Sequence, residues 1–428
     1  MSGRPTRPAT STGPARLLAP LRRGWPLTLR GGGAVVLGTG AIVLAHAVDV
    51  AELVYVGVLL LVTVVLAWVS LWFVHRYGEV SRSFAPDVAA VGRESVVTVH
   101  VSARAGLPGA LARWSDILPE GIDGDATGVV PAGSAGRMRL TYRLRPAQRG
   151  IREIGPFHLT ITDPFGFARR RLRLGSTEPV TVTPAVVALP PLAEYPGEAG
   201  GSLHTATHQL GEGADNLIPR AYEPGDSMRR INWRASAHHD ELMVRQEEQE
   251  STPEATVVLD RAAARWSADA SRPGVDAAFE AAVSAAVSAS ARLAREGYDV
   301  TVLDTEGALL GAPVPAGDTV AVEQLSLDLA TVVAGGEDRL PLVPRFFAAT
   351  VAGPVVIVTA RVTPGDVTAL SPLVGHSALP VLWAADTTAD VFARARDAGW
   401  RAAPLSPDRD LADTWQLATE RGTTRAAF

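Results

Sequence analysis

Cysteine is absent from the 428 residues, and so is lysine. The first absence excludes disulfides, thiolate metal sites and cysteine nucleophiles. The second leaves arginine to supply all 40 basic side chains, a compositional bias with no function attached to it. Also missing are G-x-S-x-G, H-E-x-x-H, a Walker A loop and a glycine-rich dinucleotide loop, so the common short signatures of hydrolases, metalloproteases and nucleotide enzymes are not there. What is present is 47% hydrophobic, 20% charged and carries a net charge of −5. That balance is globular, and it lacks the broad basic profile of a nucleic-acid binder. A chain of this length is expected to form two or three domains.

Residues 54–74 (VYVGVLLLVTVVLAWVSLWFV) hold no charge and match the roughly 20 residues that a helix needs to cross hydrocarbon. A second apolar run, 31–48, is interrupted only by His46, which reads as an interfacial residue near the outer end of its helix. Asp49 and Glu52 lie between the two runs. Arg4, Arg7, Arg16, Arg22, Arg23 and Arg30 precede them with no acidic residue interposed, and Arg76 and Arg82 follow. By the positive-inside rule, 1–30 is a basic cytoplasmic N-terminus and 31–76 a transmembrane hairpin, with the bulk of the chain cytoplasmic and the lipid bilayer as its first partner. The competing reading is a twin-arginine leader: Arg22 and Arg23, then an apolar stretch, then Ala45-His46-Ala47 as a small-residue cleavage site. Cleavage would leave 54–74 as a single anchor and the same side cytoplasmic.

Over 84–187 the pattern changes to period two. Val97, Val99 and Val101 alternate with Thr98, His100 and Ser102, and Met138, Leu140, Tyr142 and Leu144 alternate with Arg137, Arg139, Thr141, Arg143 and Arg145. Phe157, Leu159 and Ile161 repeat it, as do Val180 and Val182. Short alternating strands between Gly/Pro turns predict an antiparallel β-sandwich. The arginine row, with the arginines of 169–173, reads as a solvated outer face in preference to a lipid-headgroup surface. Asp163-Pro164-Phe165-Gly166-Phe167 is a turn whose flanking phenylalanines are expected to bury, with nothing reactive in it.

Residues 188–216 are rich in Gly and Pro and read as a linker. His204 and His208 within it stand four apart, but a glycine-rich setting gives no helix to bring them together on one metal. The segment 217–252 comes next, dense in polar and aromatic residues: Arg220, Tyr222, Pro224, Gly225, Asp226, Arg229, Ile231, Trp233, Ser236 and Arg245. Pro224-Gly225 specifies a tight turn, and Asp226, Glu247 and Glu248 offer carboxylates to the arginines. The order R-x-Y-x-P-G-D-x-x-R-x-I-x-W-x-A-S-A resembles the signature of the "domain of unknown function 58" family. Arg149-Gly150, Ile154-Gly155-Pro156 and the D-P-F-G turn are similar to that family as well. The resemblance implies membrane-anchored proteins that accompany MoxR-type AAA+ ATPases and transglutaminase-like membrane proteins; it implies no established reaction.

From 253 to 428 strands and helices alternate, which predicts a parallel sheet covered on both faces. Strands are expected at 255–260, 299–303, 354–359 and 379–384. An alanine-rich helix carries Val275, Phe279, Val283 and Val287 in one row, a further helical run is centred on 320–333, and Thr363-Pro364-Gly365-Asp366 and Ser406-Pro407 open two more helices. The family resemblance implies a von Willebrand A-like domain, in which an Asp-x-Ser-x-Ser loop holds Mg²⁺. Here that loop is Asp260, Ala262 and Ala264 in the ligand positions, and alanine has no ligand atom. The metal site is therefore expected to be lost, with no cofactor required.

Two functions compete on these residues. One is a non-catalytic, membrane-anchored assembly protein. The other is a hydrolase using Ser236 with His238, His239 or Asp240, or a metal-dependent adhesion module. The missing motifs and the two alanines favour the first. The signature segment itself admits two roles, a junction between domains or a partner surface, and its density of ion-pairing residues favours the junction.

Overall fold

The computed structural model describes residues 26–73, 78–103, 111–130, 136–192, 217–222, 228, 231, 233–239, 241–247, 253–347 and 352–419. The chain divides into two compact units, Met1–Val182 and Thr183–Phe428.

The first unit begins with helices α1 (Leu29–Val48) and α2 (Ala51–Ser70), both long and apolar enough to cross a membrane. Their outer faces expose Val36, Leu37, Leu59 and Leu66, while Gly31, Ala34, Gly38, Gly57 and Ala67 are buried. That is the inverse of a water-soluble amphipathic helix. A Cβ on Gly57 would lie 2.6 Å from the Gly38 carbonyl oxygen, so only small residues allow this approach. The turn between the helices is shorter than its acidic residues suggest. Asp49 takes a left-handed φ of 56° and its N–H closes on Ala45, while Glu52 already belongs to the first turn of α2. The second helix thus runs three residues ahead of the uncharged stretch.

Among the described residues, eleven strands form the antiparallel body of this unit: β1 (Gly78–Ala85), β2 (Ala89–Ala90), β3 (Ser95–Ala103), β4 (Leu111–Asp116), β5 (Ile122–Gly124), β6 (Thr127–Val129), β7 (Gly136–Pro146), β8 (Gly150–Ile154), β9 (Phe157–Thr162), β10 (Arg169–Leu174) and β11 (Glu178–Thr183). They pair in the orders β1-β3-β7-β5, β10-β9-β4-β6 and β2-β11-β8. The period-two expectation holds: Val97, Val99, Val101, Leu140, Tyr142, Leu144, Phe157, Leu159, Ile161, Val180 and Val182 are all buried in one cluster, and Arg139, Arg143 and Arg145 are exposed. That cluster also takes in Ala67 and Leu71, so the sandwich core continues into the end of α2.

Two arginines depart from the sequence reading. Arg170 is not part of a solvated face, because it donates to the Leu71 carbonyl at 2.6 Å. Arg82 is not a free flanking charge. Its side chain is wholly buried, with Nε and Nη2 donating to the two Asp116 oxygens at 2.8 and 2.9 Å, and Tyr142 Oη donates to the same carboxylate at 3.0 Å.

The second unit is built on a parallel sheet in the order β15-β14-β16-β17-β18. Before it come the antiparallel pair β12 (Leu217–Ala221) and β13 (Met243–Glu247), with helix α3 (Trp233–His239) between them in sequence. Strand β14 (Glu254–Leu259) leads to α4 (Ala277–Arg295), β15 (Asp299–Asp304), α5 (Thr319–Asp328), β16 (Ala352–Thr359), α6 (Pro364–Leu370), β17 (Ser377–Ala384), α7 (Ala389–Asp397), β18 (Arg401–Pro404) and α8 (Leu411–Thr419). Phe279, Val283 and Val287 are fully buried along α4, but Val275 precedes the helix, which Asp276 caps. Thr363 and Asp366 form the expected capping box of α6. The last helix begins at Leu411, not at Ser406-Pro407, where the chain first makes a turn. Separate apolar clusters cover the two faces of the sheet.

The C-terminal boundary of the sandwich also moves. Residues 184–192 pack on the α/β unit: Val187 N donates to Ser288 Oγ at 2.9 Å, Leu189 is buried in its core, and Trp415 Nε1 donates to the Pro190 carbonyl at 2.9 Å. These residues are not a sandwich strand or free linker. The rest of the linker, with His204 and His208, lies outside the described residues, as do Arg4, Arg7, Arg16, Arg22, Arg23 and Arg76.

Candidate functional site

The signature segment is described in part. Arg220 and Arg245 lie on the paired strands β12 and β13, where Arg220 stands opposite Val244 and Pro219 opposite Arg245. Tyr222 extends the pairing, its N–H donating to the Leu242 carbonyl at 2.7 Å. Ile231 forms a bridge to Val244, and both side chains are buried. Ser236, on α3, accepts a 2.8 Å hydrogen bond from Met243 N, which ties the short helix to the hairpin. Trp233, at the start of α3, is 68% exposed. Pro224, Gly225, Asp226, Arg229, Asp240 and Glu248 lie outside the described residues. The structure therefore brings Tyr222, Ile231, Ser236 and the two strands together as a small hairpin-and-helix element, and leaves Trp233 open on it.

A second locus sits at the carboxyl ends of the parallel strands. Asp260 follows β14 directly and is fully buried. Its Oδ2 accepts from Thr359 Oγ1, the last residue of β16, at 2.6 Å, and its Oδ1 accepts from Ala262 N at 2.9 Å. Ala262 is buried and the Ala263–Arg265 turn follows, so this loop does fold back over the sheet edge. What faces the carboxylate is a guanidinium. Arg265 Nε lies 3.4 Å from Asp260 Oδ2, Nη1 and Nη2 each donate to Asp366 at 2.9 Å, and Nε donates to Asp338 at 2.8 Å. Arg265 also donates to the Arg361 carbonyl. Its side chain is only 6% exposed.

The electrostatics follow from that packing. Burial works against the Arg265 charge, but hydrogen bonds to Asp366 and Asp338 outweigh it and raise its pKa above the ordinary arginine value. Burial pushes Asp260 above the usual carboxylate range, partly offset by the Thr359 and Ala262 hydrogen bonds. Burial would raise Asp366 too, yet the Arg265 and Thr363 hydrogen bonds win and lower it. The cleft is thus a closed charge network: one buried cation bound to three carboxylates of its own chain. Arg261, next in the chain, donates to the Val333 carbonyl at 3.0 Å and to Asp304 at 3.4 Å. Ala264 contributes no side-chain ligand, and among the described residues no group of three or more His, Cys, Asp or Glu is placed to hold a metal.

Sequence reading found Asp260, Ala262 and Ala264 but missed Arg265, Asp338 and the second role of Asp366. Arg265 was legible only as an arginine six residues past the strand, because its partners lie 73 and 101 residues further on.

Comparison with known proteins adds one match and little else. Residues 219–331 match the family described as "Protein of unknown function DUF58", a stretch that includes most of the signature segment, Asp260 and Arg265. No curated protein matches the chain. Among solved structures, a non-cellulosomal cohesin from Archaeoglobus fulgidus is 13% identical over 25% of this chain and 91% of its own, with a TM-score of 0.18. The CARDB domain of a Pyrococcus furiosus protein is 19% identical over 25% of this chain and 96% of its own, with a TM-score of 0.16. Cwp6 from Clostridium difficile is 12% identical over 79% of this chain and 55% of its own, with a TM-score of 0.14. Likeness at that level carries no argument.

Proposed function

We propose, from the premise that this chain belongs to the DUF58 family through residues 219–331, that it is a bilayer-anchored, non-catalytic assembly protein. Its two apolar helices hold it in the membrane as a multi-pass anchor. Its sandwich and a von Willebrand A-like α/β unit face the cytoplasm and receive a protein partner.

Arg265 carries this reading. Open parallel sheets bind their ligands outside the carboxyl ends of the strands. In this chain that position is taken by a buried guanidinium tied to Asp260, Asp338 and Asp366. A cation or small substrate would have to displace it and leave it unpaired, which is costly. Binding then falls to the outer surface, and the exposed Trp233 is of the residue type that dominates protein interfaces. On this reading the signature segment serves as the partner surface, the second of its two candidate roles. The family resemblance suggests a MoxR-type AAA+ ATPase as the partner, with a transglutaminase-like membrane protein in the same assembly.

Inverted membrane vesicles carrying the full chain are expected to capture a MoxR-type ATPase, and right-side-out vesicles are not. Trp233→Ala should weaken capture by about 2 kcal/mol, on the order of thirtyfold in Kd, while the melting temperature stays put. Capture by right-side-out vesicles would reverse the topology. Undiminished capture by Trp233→Ala would move the binding surface elsewhere.

A further inference from the structure

The turn between β9 and β10 holds an exposed aromatic ring in a fixed place. Asp163, 1% exposed, organises it by accepting hydrogen bonds from Phe165 N at 2.9 Å and Ala168 N at 2.5 Å, while Gly166 N donates to the Asp163 carbonyl at 3.0 Å. The turn is joined to the entry of α1. Thr28 N donates to the Phe167 carbonyl at 2.9 Å, and Arg169 N donates to the Pro26 carbonyl at 2.7 Å. A Cβ on Gly31 would fall 2.1 Å from the Phe167 carbonyl oxygen, so the first turn of the helix lies directly against this backbone. On the other helix, Arg170 donates to the Leu71 carbonyl and its guanidinium stands 5.8 Å from the Trp72 ring.

The tip is therefore level with the start of α1 and the end of α2, where a spanning hairpin passes from hydrocarbon to headgroups. At that level Phe165 is 61% exposed and stacks on Phe167 with ring centroids 6.1 Å apart. Trp72 is 60% exposed, and it meets Trp68 edge-on. The turn that carries the Phe165 ring is held in place by these hydrogen bonds, and an apolar partner surface would remove the ring from water. The exposed apolar surface of α1 begins at Leu29, 84% exposed, three residues from the paired Pro26. The tip continues that surface, and aromatic rings with arginines beside them are what membrane interfaces favour.

We infer that the D-P-F-G turn is a third membrane contact, with Phe165 seated in the interfacial layer of the leaflet from which both helices emerge. This rests on the anchored reading. The contact fixes the sandwich against the bilayer and leaves its orientation less free than two helices alone would.

The absence of cysteine makes the test direct. The full chain carrying Phe165→Cys is labelled with an environment-sensitive fluorophore and reconstituted in phosphatidylcholine–phosphatidylglycerol vesicles. Ser176→Cys, exposed about 20 Å away past the far end of β10, reports the aqueous side, and Leu59→Cys on α2 reports hydrocarbon. The label at 165 is expected to be quenched by headgroup-level nitroxide lipid and shielded severalfold from aqueous iodide relative to 176. Pro164→Cys, exposed beside it, is expected to respond alike and serves as reporter if Phe165→Cys melts early. If the label at 59 escapes lipid quenchers, the anchored reading fails. If 59 is quenched but 165 and 164 answer to iodide as 176 does, the turn is not a membrane contact.

Discussion

Replacing Arg265 with alanine is expected to cost the α/β unit about 3–5 kcal/mol of stability, the scale for removing one partner of a buried charge network. Asp260 and Asp366 are buried, and both would remain without their shared cation, with Asp338 half exposed beside them. The loss does not come chiefly from missing attraction. It comes from carboxylates left in a place where water cannot reach them. Arg265→Lys should recover only part of it, because one ammonium cannot reproduce the two parallel bonds to Asp366. Trp266 lies against the same network: its Nε1 donates to the Asp260 carbonyl at 2.8 Å and its ring meets Phe279 edge-on. Melting in detergent that matched the parent would show that the network contributes little.

The sandwich should respond to Arg82→Ala on the same scale, about 3–5 kcal/mol, and independently of the α/β unit. Arg82 and Asp116 have no side-chain exposure, and Glu178 adds a second carboxylate 3.3 Å from Nη1. Tyr142 already depends on this arrangement. Burial and the neighbouring Asp116 charge hold its hydroxyl protonated well above the usual tyrosine range, as a donor to that carboxylate. Gly155 belongs to the same site, since a Cβ there would meet Arg82 Nη2 at 2.8 Å. Asp116→Asn keeps the shape and removes the charge, so it should still destabilise by leaving Arg82 without its bidentate partner. Chemical denaturation that leaves the sandwich of Arg82→Ala at parental stability would contradict this.

What the sequence could show and what it could not divide along a physical line. Local patterns were legible. The alternation over 97–102 and 138–144 placed the core face correctly because a strand's side chains reverse at each residue, and the capping box at Thr363 and Asp366 is spelled within four residues. The Arg265 network was legible only as far as Asp260, the residue after its strand. Arg265 meets Asp366 across 101 residues, and Arg82 meets Asp116 across 34, so neither pairing leaves a trace in local spacing. Arg82 and Arg170 looked like surface charges because arginine usually is one. Residues 184–187 read as sandwich and 188–192 as linker, the latter because of Pro190 and Pro191, but Trp415, far along the chain, donates to the Pro190 carbonyl and holds the segment in place. Ser406-Pro407 has the letters of a helix start. The chain instead closes a turn there, Arg409 N donating to the Ser406 carbonyl at 3.2 Å, and enters the helix four residues later.

The claim that an internal arginine occupies the place of a ligand at the sheet's carboxyl edge is tested most directly by Mg²⁺ titration. The full chain in detergent is melted across micromolar to millimolar Mg²⁺. Binding to the folded state would add RT ln(1 + [L]/Kd) and raise the melting temperature saturably. The expected result is no saturable shift, because Arg265 already satisfies Asp260, Asp338 and Asp366. A saturable rise that disappears in Asp260→Ala would show a cation entering the cleft, and would contradict it.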